Sequence, residues 1–234
     1  MPTIKLMSAG AVQSMVTAIG PEFERASGHK LDLNFGTAGN LRGRFEGGEA
    51  ADIVILPASV IAAMDKAGRL LAGSVMDLGR TITGVAVRTG ATAPDISTPA
   101  AFKQALLKAK GVAYSDPAAG GSSGNYFAGL LQKLGIADEV NRKAFLGKRG
   151  YEVAQAVADG RAELGTTFIS EILTVPGVTV IGPLPGELHH ASTYTAAISA
   201  GSAVVEPAKA FLRALSDPAS RSRWTAAGLE PAFA

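Results

Sequence analysis

The chain has 234 residues, of which 47% are hydrophobic and 18% charged, and its 22 Lys and Arg residues nearly balance 20 Asp and Glu residues. This composition excludes a disordered chain, and the length suits one large or two modest domains. A formal charge of +2 gives no basic field for a nucleic-acid partner. The absence of Cys excludes disulfides and thiolate metal sites, and three His residues indicate no histidine-rich metal site.

The localisation depends on the amino terminus. No apolar run of about 18 residues is present, so we expect no membrane insertion. Residues 1–7 lead directly into strand-like sequence, without a basic and apolar leader. The chain is therefore expected to be cytoplasmic if it is native as written, and periplasmic if a signal peptide was removed. We expect a monomer.

Short β-branched runs alternate with Ala-rich segments of helical period, which is typical of an α/β fold with largely parallel sheets. The predicted strands cover residues 4–7, 30–35, 53–56, 84–88, 112–114, 164–168 and 178–181. The predicted helices cover residues 11–26, 41–46, 58–67, 99–108, 123–134, 150–159, 207–215 and 218–227.

Two extended segments, residues 81–88 and 192–200, have the character of connectors. A chain that leaves one lobe, builds a second and returns needs two crossings. This predicts a discontinuous lobe one from residues 1–82 and 194–234, a lobe two from residues 83–193, and a ligand cleft between them. Each lobe is expected to hold a mixed, mostly parallel sheet flanked by helices, with the two connectors as hinge strands.

Glycines and hydroxyl residues follow four of the predicted strands, in residues 8–11, 36–40, 115–124 and 166–170. Helix N-termini expose unpaired N–H groups that attract anions, Gly lets a ligand approach the backbone, and Ser or Thr adds a donor. Such loops lie at the carboxyl edge of α/β sheets, where ligands bind. An ordinary helix-cap role remains the alternative for each loop. No P-loop, dinucleotide fingerprint, catalytic triad or HExxH motif is present.

Residues 8–11, 23–29, 36–39 and 48–55 resemble the type II periplasmic solute-binding proteins, in the branch of the molybdate-binding proteins. Residues 114–117, 157–165 and 229–231 follow in the order of that family. The resemblance implies a two-lobed fold that holds a small anion for ABC-type uptake, with a transporter permease as partner and with no cofactor.

The resemblance also implies a set of ligand-binding positions. They are Ser8, Gly10, Ala11, Thr37, Ala38, Gly121, Ser122, Ser123, Tyr151, Thr166, Thr167, Phe168 and Ser170. Bacterial molybdate binders place a Tyr hydroxyl where this chain has Phe168, and losing one hydrogen bond to a charged ligand costs about 1.5–3 kcal/mol. Arg42 lies in the helix that follows Thr37, and its planar guanidinium group suits a carboxylate ligand. The alternative is that Arg42 is an ordinary surface residue. We therefore expect an organic di- or tricarboxylate as ligand, with an oxyanion as the other option.

The sequence also resembles aconitate isomerase, in residues 94–97, 113–116, 134–138 and 171–177. This resemblance implies isomerisation of an unsaturated carboxylate by proton abstraction and return, without a metal or cofactor. The candidate catalytic residues are Glu171 and His190. Their ordinary alternatives are a helix-start carboxylate for Glu171 and an exposed loop residue for His190. Both functions, uptake and isomerisation, remain open at this point.

Overall fold

Strands and helices alternate along the chain, as the hydrophobic pattern predicts. The computed structural model describes residues 2–233. The chain divides into two units, residues 1–81 with 192–234 (unit 1) and residues 82–191 (unit 2). Each unit combines a mixed sheet with flanking helices, which confirms the α/β class. Among the described residues, no helix is long and apolar enough to cross a membrane.

The strands are β1 (Thr3–Ala9), β2 (Lys30–Gly36), β3 (Ile53–Pro57), β4 (Met76–Arg88), β5 (Val112–Ser115), β6 (Ala144–Gly147), β7 (Leu164–Phe168), β8 (Val178–Pro183), β9 (Ala191–Ile198) and β10 (Leu229–Pro231). The helices are α1 (Gln13–Ser27), α2 (Ala38–Glu46), α3 (Ala58–Lys66), α4 (Pro99–Lys108), α5 (Ser122–Lys133), α6 (Ala137–Asn141), α7 (Gly150–Ala158), α8 (Ile169–Ile172), α9 (Val205–Leu215) and α10 (Arg221–Ala226).

In unit 1, β1 pairs in parallel with both β2 and β3, and β9 pairs antiparallel with β3. β10 pairs antiparallel with the first part of β4. Ser8 of β1 lies opposite Phe35 of β2, and Ala9 lies opposite Gly36. Because parallel strands end at the same edge of a sheet, the loops after β1 and β2 are neighbours.

In unit 2, β7 lies between β5, with which it is parallel, and the second part of β4, with which it is antiparallel. β6 extends the sheet in parallel beyond β5. Tyr114 of β5 is in register with Thr166 of β7, so Ser115 and Thr167 come next to each other where the two strands end.

The two sides of the unit 2 sheet are covered by different apolar clusters. Tyr114 and Leu164 pack with Phe102 and Phe127 in one cluster, whereas Ala113 packs with the α7 residue Val153 in another. Since side chains alternate along a strand, Ser115 and Thr167 lie on the side of the sheet that α7 covers.

Several short elements differ from the prediction. β6, β10 and α6 were not predicted, and β4 begins at Met76, which is earlier than the predicted strand. Elements of three to five residues are too short to show a hydrophobic period. Ser170 was predicted at the exit of a strand, but it lies inside α8, because β7 ends at Phe168 and the chain turns directly into a helix.

Candidate functional site

The first hydroxyl loop of unit 1 follows β1. Ser8 is fully buried, and its Oγ donates to the carbonyl oxygen of Ala9 at 3.2 Å. A 3₁₀ turn from Gly10 to Val12 begins directly after Ala9 and leads into α1. The loop therefore combines a buried hydroxyl with the backbone N–H groups of a helical start.

The second hydroxyl loop follows β2. Thr37 is the N-cap of α2, and its Oγ1 accepts the backbone N–H of Asn40 at 3.4 Å. Ala38, the first residue of the helix, is buried. Thr37 thus caps a helix, which is the role that the sequence analysis gives as the alternative to ligand binding. It lies at the same sheet edge as Ser8.

Both arginines of α2, Arg42 and Arg44, pair with acidic neighbours. Arg42 pairs with Glu46 at 2.9 Å, and both side chains are more than two-fifths exposed. Arg44 forms two contacts with Glu49 and donates to Asn34 at 3.0 Å. Their guanidinium groups are therefore already neutralised by partners within unit 1.

Three hydroxyls meet at the carboxyl edge of the unit 2 sheet, and we call them the hydroxyl cluster: Ser115, Ser123 and Thr167. Ser123 Oγ donates to Ser115 Oγ at 3.3 Å, and Thr167 Oγ1 lies 3.4 Å from each serine oxygen. All three residues are at least 96% buried. Short polar side chains packed this deeply must find partners among themselves or in a ligand.

The start of α5 reaches the cluster because position 124 is Gly. A Cβ at Gly124 would overlap the backbone carbonyl of Ser115. The absent side chain lets the first turn of α5 rest directly on the end of β5. This close approach brings the Ser123 hydroxyl within reach of Ser115.

Glu171 lies beside the cluster and accepts a hydrogen bond from Thr167 Oγ1 at 2.9 Å. Burial raises the pKa of Glu171 to about 7, although hydrogen bonds from Thr167 and from the N–H groups of Gly150 and Phe168 oppose the rise. A Cβ at Gly150 would overlap the Glu171 carboxylate and lie 2.6 Å from Thr167 Oγ1. Glu171 is thus seated against the first residue of α7, at the positive end of that helix.

His190 lies in an aromatic stack within unit 2. Its ring is parallel to that of Tyr126, with 3.9 Å between centroids, and it also stacks near Phe168 at 6.0 Å. Its Nδ1 is 2.9 Å from Thr83 Oγ1, and Tyr126 Oη donates to the Leu188 carbonyl at 3.0 Å. Burial, with a smaller effect of His189, lowers the pKa of His190, which favours a neutral imidazole near pH 7.

Residues 4–230 match the family model of the bacterial extracellular solute-binding proteins. The chain belongs to this family. It is 33% identical to an aconitate isomerase of a Pseudomonas species, over 98% of this chain and 88% of the relative. The resemblance found in the sequence is confirmed at the family level.

Two solved structures show the same fold at low identity. The periplasmic molybdate-binding protein of Azotobacter vinelandii is 18% identical, with a TM-score of 0.74 over 97% of this chain and 98% of that one. The sulfate-binding protein SubI of Mycobacterium tuberculosis H37Rv is 17% identical, with a TM-score of 0.76 over 99% of this chain and 88% of that one. The type II solute-binding fold is therefore confirmed.

In this member of the solute-binding family, the predicted positions Ser123 and Thr167 come together with Glu171 in unit 2. Thr166 faces the other way, because it is in register with Tyr114 of the large apolar cluster. Its hydroxyl is buried without a hydrogen-bond partner among residues 2–233. The role of these positions in ligand binding stays a prediction.

The other predicted positions of unit 2 lie around the starts of helices. Gly121 is the N-cap of α5, and Ser122 is its first residue. Tyr151 follows Gly150 in α7 and is 43% exposed, whereas Ser170 is buried in α8.

Ser115 and Thr83 were not predicted as site residues. Ser115 could have been found as the hydroxyl residue that ends a buried strand in register with Thr167. Thr83 gave no local signal, because its contact with His190 joins residues that are 107 positions apart. Within residues 2–233, no group of three His, Asp or Glu residues could hold a metal ion.

Proposed function

We propose that this protein binds an unsaturated organic di- or tricarboxylate and isomerises it by removing and returning one proton. The observation that carries the proposal is the carboxyl group of Glu171, which is partly buried beside three hydroxyls and has a pKa raised to about 7. A general acid-base group works best when its pKa is near the working pH, because both protonation states are then available.

The reaction needs only this group and a set of hydrogen-bond donors. Ionised Glu171 takes a proton from the carbon next to the double bond, and the electron pair of that C–H bond delocalises into the substrate carboxylate. The proton on Glu171 exchanges with the solvent, and Glu171 then protonates the other end of the three-carbon system, so the double bond moves and the composition of the substrate is unchanged. Hydroxyls of the cluster and N–H groups at the start of α5 would stabilise the negative charge on the oxygen.

The substrate class is supported by the relative of known activity. The aconitate isomerase of the Pseudomonas species aligns with 98% of this chain at 33% identity, which is well above the identity of the anion-binding structures. Phe168 also disfavours molybdate as the ligand, because it has no hydroxyl where the bacterial molybdate binders have that of a Tyr.

His190, which stacks near Phe168 on the other side of the unit 2 sheet, is proposed as a second catalytic group. Its Nδ1 contact with Thr83 and its stacking on Tyr126 fix the ring, so that Nε2 is the nitrogen left for a substrate. With its lowered pKa the imidazole is neutral at pH 7, and it can accept or donate one hydrogen bond without adding charge.

A second candidate function is binding for ABC-type uptake, with a periplasmic location and a transporter permease as partner. The match of residues 4–230 to the extracellular solute-binding family favours it. In this case the loops at Ser8 and Thr37 and the hydroxyl cluster would be the parts of the protein that bind the anion. The ligand would leave the protein unchanged.

The test is incubation of the protein with cis- and with trans-aconitate, followed by proton NMR. We expect interconversion of the two isomers, and we expect Glu171→Gln to slow it at least about a hundredfold, since positioned acid-base groups contribute 10²–10⁴ in rate. Glu163→Gln is the matched control, because Glu163 is exposed and accepts the backbone N–H of Lys110. Tight binding in calorimetry with the acid recovered unchanged would favour uptake instead.

A further inference from the structure

The direction of the hydrogen bonds in the hydroxyl cluster has a consequence for any anion that binds there. Thr167 donates its only hydroxyl proton to Glu171 Oε2, at 2.9 Å. Thr167 can then only accept from Ser115, which in turn accepts from Ser123. When Glu171 is ionised, each hydroxyl of the cluster therefore donates its proton to the next group on the way to the carboxylate. No hydroxyl proton of the cluster is then left to donate to a ligand.

An anion at the cluster needs a hydroxyl proton directed at itself. This becomes possible when Glu171 carries a proton, because its O–H can then donate to Thr167. The proton of Thr167 turns toward Ser115, the proton of Ser115 toward Ser123, and the Ser123 hydroxyl is left to donate outward. The same proton removes the repulsion between two negative charges in a buried site.

The Glu171 side chain cannot turn away from the cluster to avoid repelling a bound anion. Its carboxylate occupies the space that a side chain at Gly150 would fill, and it accepts the N–H groups of Gly150 and Phe168. The start of α7, where the family resemblance places the ligand-binding position Tyr151, is therefore already occupied by a carboxylate of the chain itself.

We infer that an anion binds at the hydroxyl cluster together with one proton, which is taken up by Glu171. This inference rests on the proposed binding of a carboxylate at that cluster. The protein therefore takes up one proton when it binds a fully ionised polycarboxylate, and Glu171 must pass this proton to the solvent before it can act as a base.

The elements near Glu171 carry other charged groups, and His190 also lies in unit 2. Arg149 and Glu152 lie at the start of α7, and Asp116 follows β5. Glu152 accepts a hydrogen bond from the backbone N–H of Lys148, and Asp116 accepts one from that of Ala118. Both carboxylates therefore bond to the backbone close to them in sequence. His190, which stacks near Phe168, has a lowered pKa and stays neutral above about pH 7.

The test is calorimetric titration with trans-aconitate between about pH 7 and pH 9, in two buffers of different ionisation enthalpy. We expect the affinity of the wild-type protein to fall about tenfold per pH unit at the upper end, with uptake of about one proton per ligand. Glu171→Gln should bind with an affinity that is constant within about twofold and without proton uptake. Glu163→Gln should behave like the wild type.

Binding of trans-aconitate by the wild type with neither pH dependence nor proton uptake would overturn the inference, while the isomerase proposal would still depend on its own NMR assay. The same pH dependence in Glu171→Gln, with a thermal melt showing that the variant is folded, would also overturn it. Absence of any binding at all pH values would remove both the inference and the proposed function.

Discussion

The hydroxyl residues of unit 1 and of unit 2 lie at similar sheet edges, but they are used differently. In unit 1, Ser8 and Thr37 bond to backbone groups of their own loops, to Ala9 and Asn40. In unit 2, Ser115, Ser123 and Thr167 bond to one another across 8 to 52 positions of sequence, and the cluster ends on a carboxylate.

In the proposed function, this difference separates two kinds of predicted anion site. The unit 1 hydroxyls of Ser8 and Thr37 bond to backbone groups of their own loops, which suits binding of an anion without chemistry. The unit 2 cluster contains Glu171, whose raised pKa lets it exchange a proton near neutral pH. We therefore assign proton transfer to unit 2 and passive anion binding to unit 1, as parts of the proposed function.

The largest effect that we expect comes from Gly124→Ala. The new methyl group would overlap the Ser115 carbonyl, so α5 must move away from β5, and we expect a loss of about 3 kcal/mol in the free energy of unfolding. Gly129→Ala is the control in the same helix, because nothing lies within 4 Å of the added Cβ. It should stabilise the protein by up to about 1 kcal/mol. Urea denaturation measures both values.

Equal stability of the Gly124→Ala and Gly129→Ala variants would show that α5 does not need this close approach. The close contact between α5 and β5 would then not explain why Ser123 reaches Ser115. The contrast between this long-range cluster and the local hydrogen bonds of unit 1 would lose its support.

A smaller effect is expected for Thr37→Ala in unit 1. Loss of the N-cap of α2 should cost about 1 kcal/mol in unfolding free energy, similar to Thr98→Ala, which removes the N-cap of α4 and its bond to Ala101 N. Only Thr37→Ala should also weaken binding of trans-aconitate, by about tenfold, if the loop after β2 contacts the ligand. Equal affinities of the two variants in calorimetry would restrict Thr37 to its cap role.

The parts of the fold with strong local patterns were predictable from the sequence. The predicted helix 99–108 agrees with α4 at both ends, because Thr98 caps it, Pro99 begins it and its apolar residues have a helical period. The predicted strand 164–168 likewise agrees with β7. By contrast, β6 has only four residues and a 44% exposed Leu146, so no buried run marked it.

The candidate site was predictable only in part. Ser123, Thr167 and Glu171 could be named because they follow strands or begin helices, and such positions are readable from sequence. The side of the sheet that each side chain faces could not be predicted from the sequence. Thr166 and its neighbour Thr167 face opposite sides, and only the pairing of β7 with β5 decides which of them reaches Ser115. The raised pKa of Glu171 also depends on burial that a sequence does not contain.

The most direct test of the central claim, proton transfer by Glu171, is the incubation of wild-type protein with trans-aconitate in heavy water. The account predicts that deuterium from the solvent enters the carbon-bound positions next to the double bond, and that Glu171→Gln slows this entry at least about a hundredfold while Glu163→Gln does not. Bound trans-aconitate that gains no deuterium with the wild-type protein, or gains it equally fast with Glu171→Gln, would contradict the account.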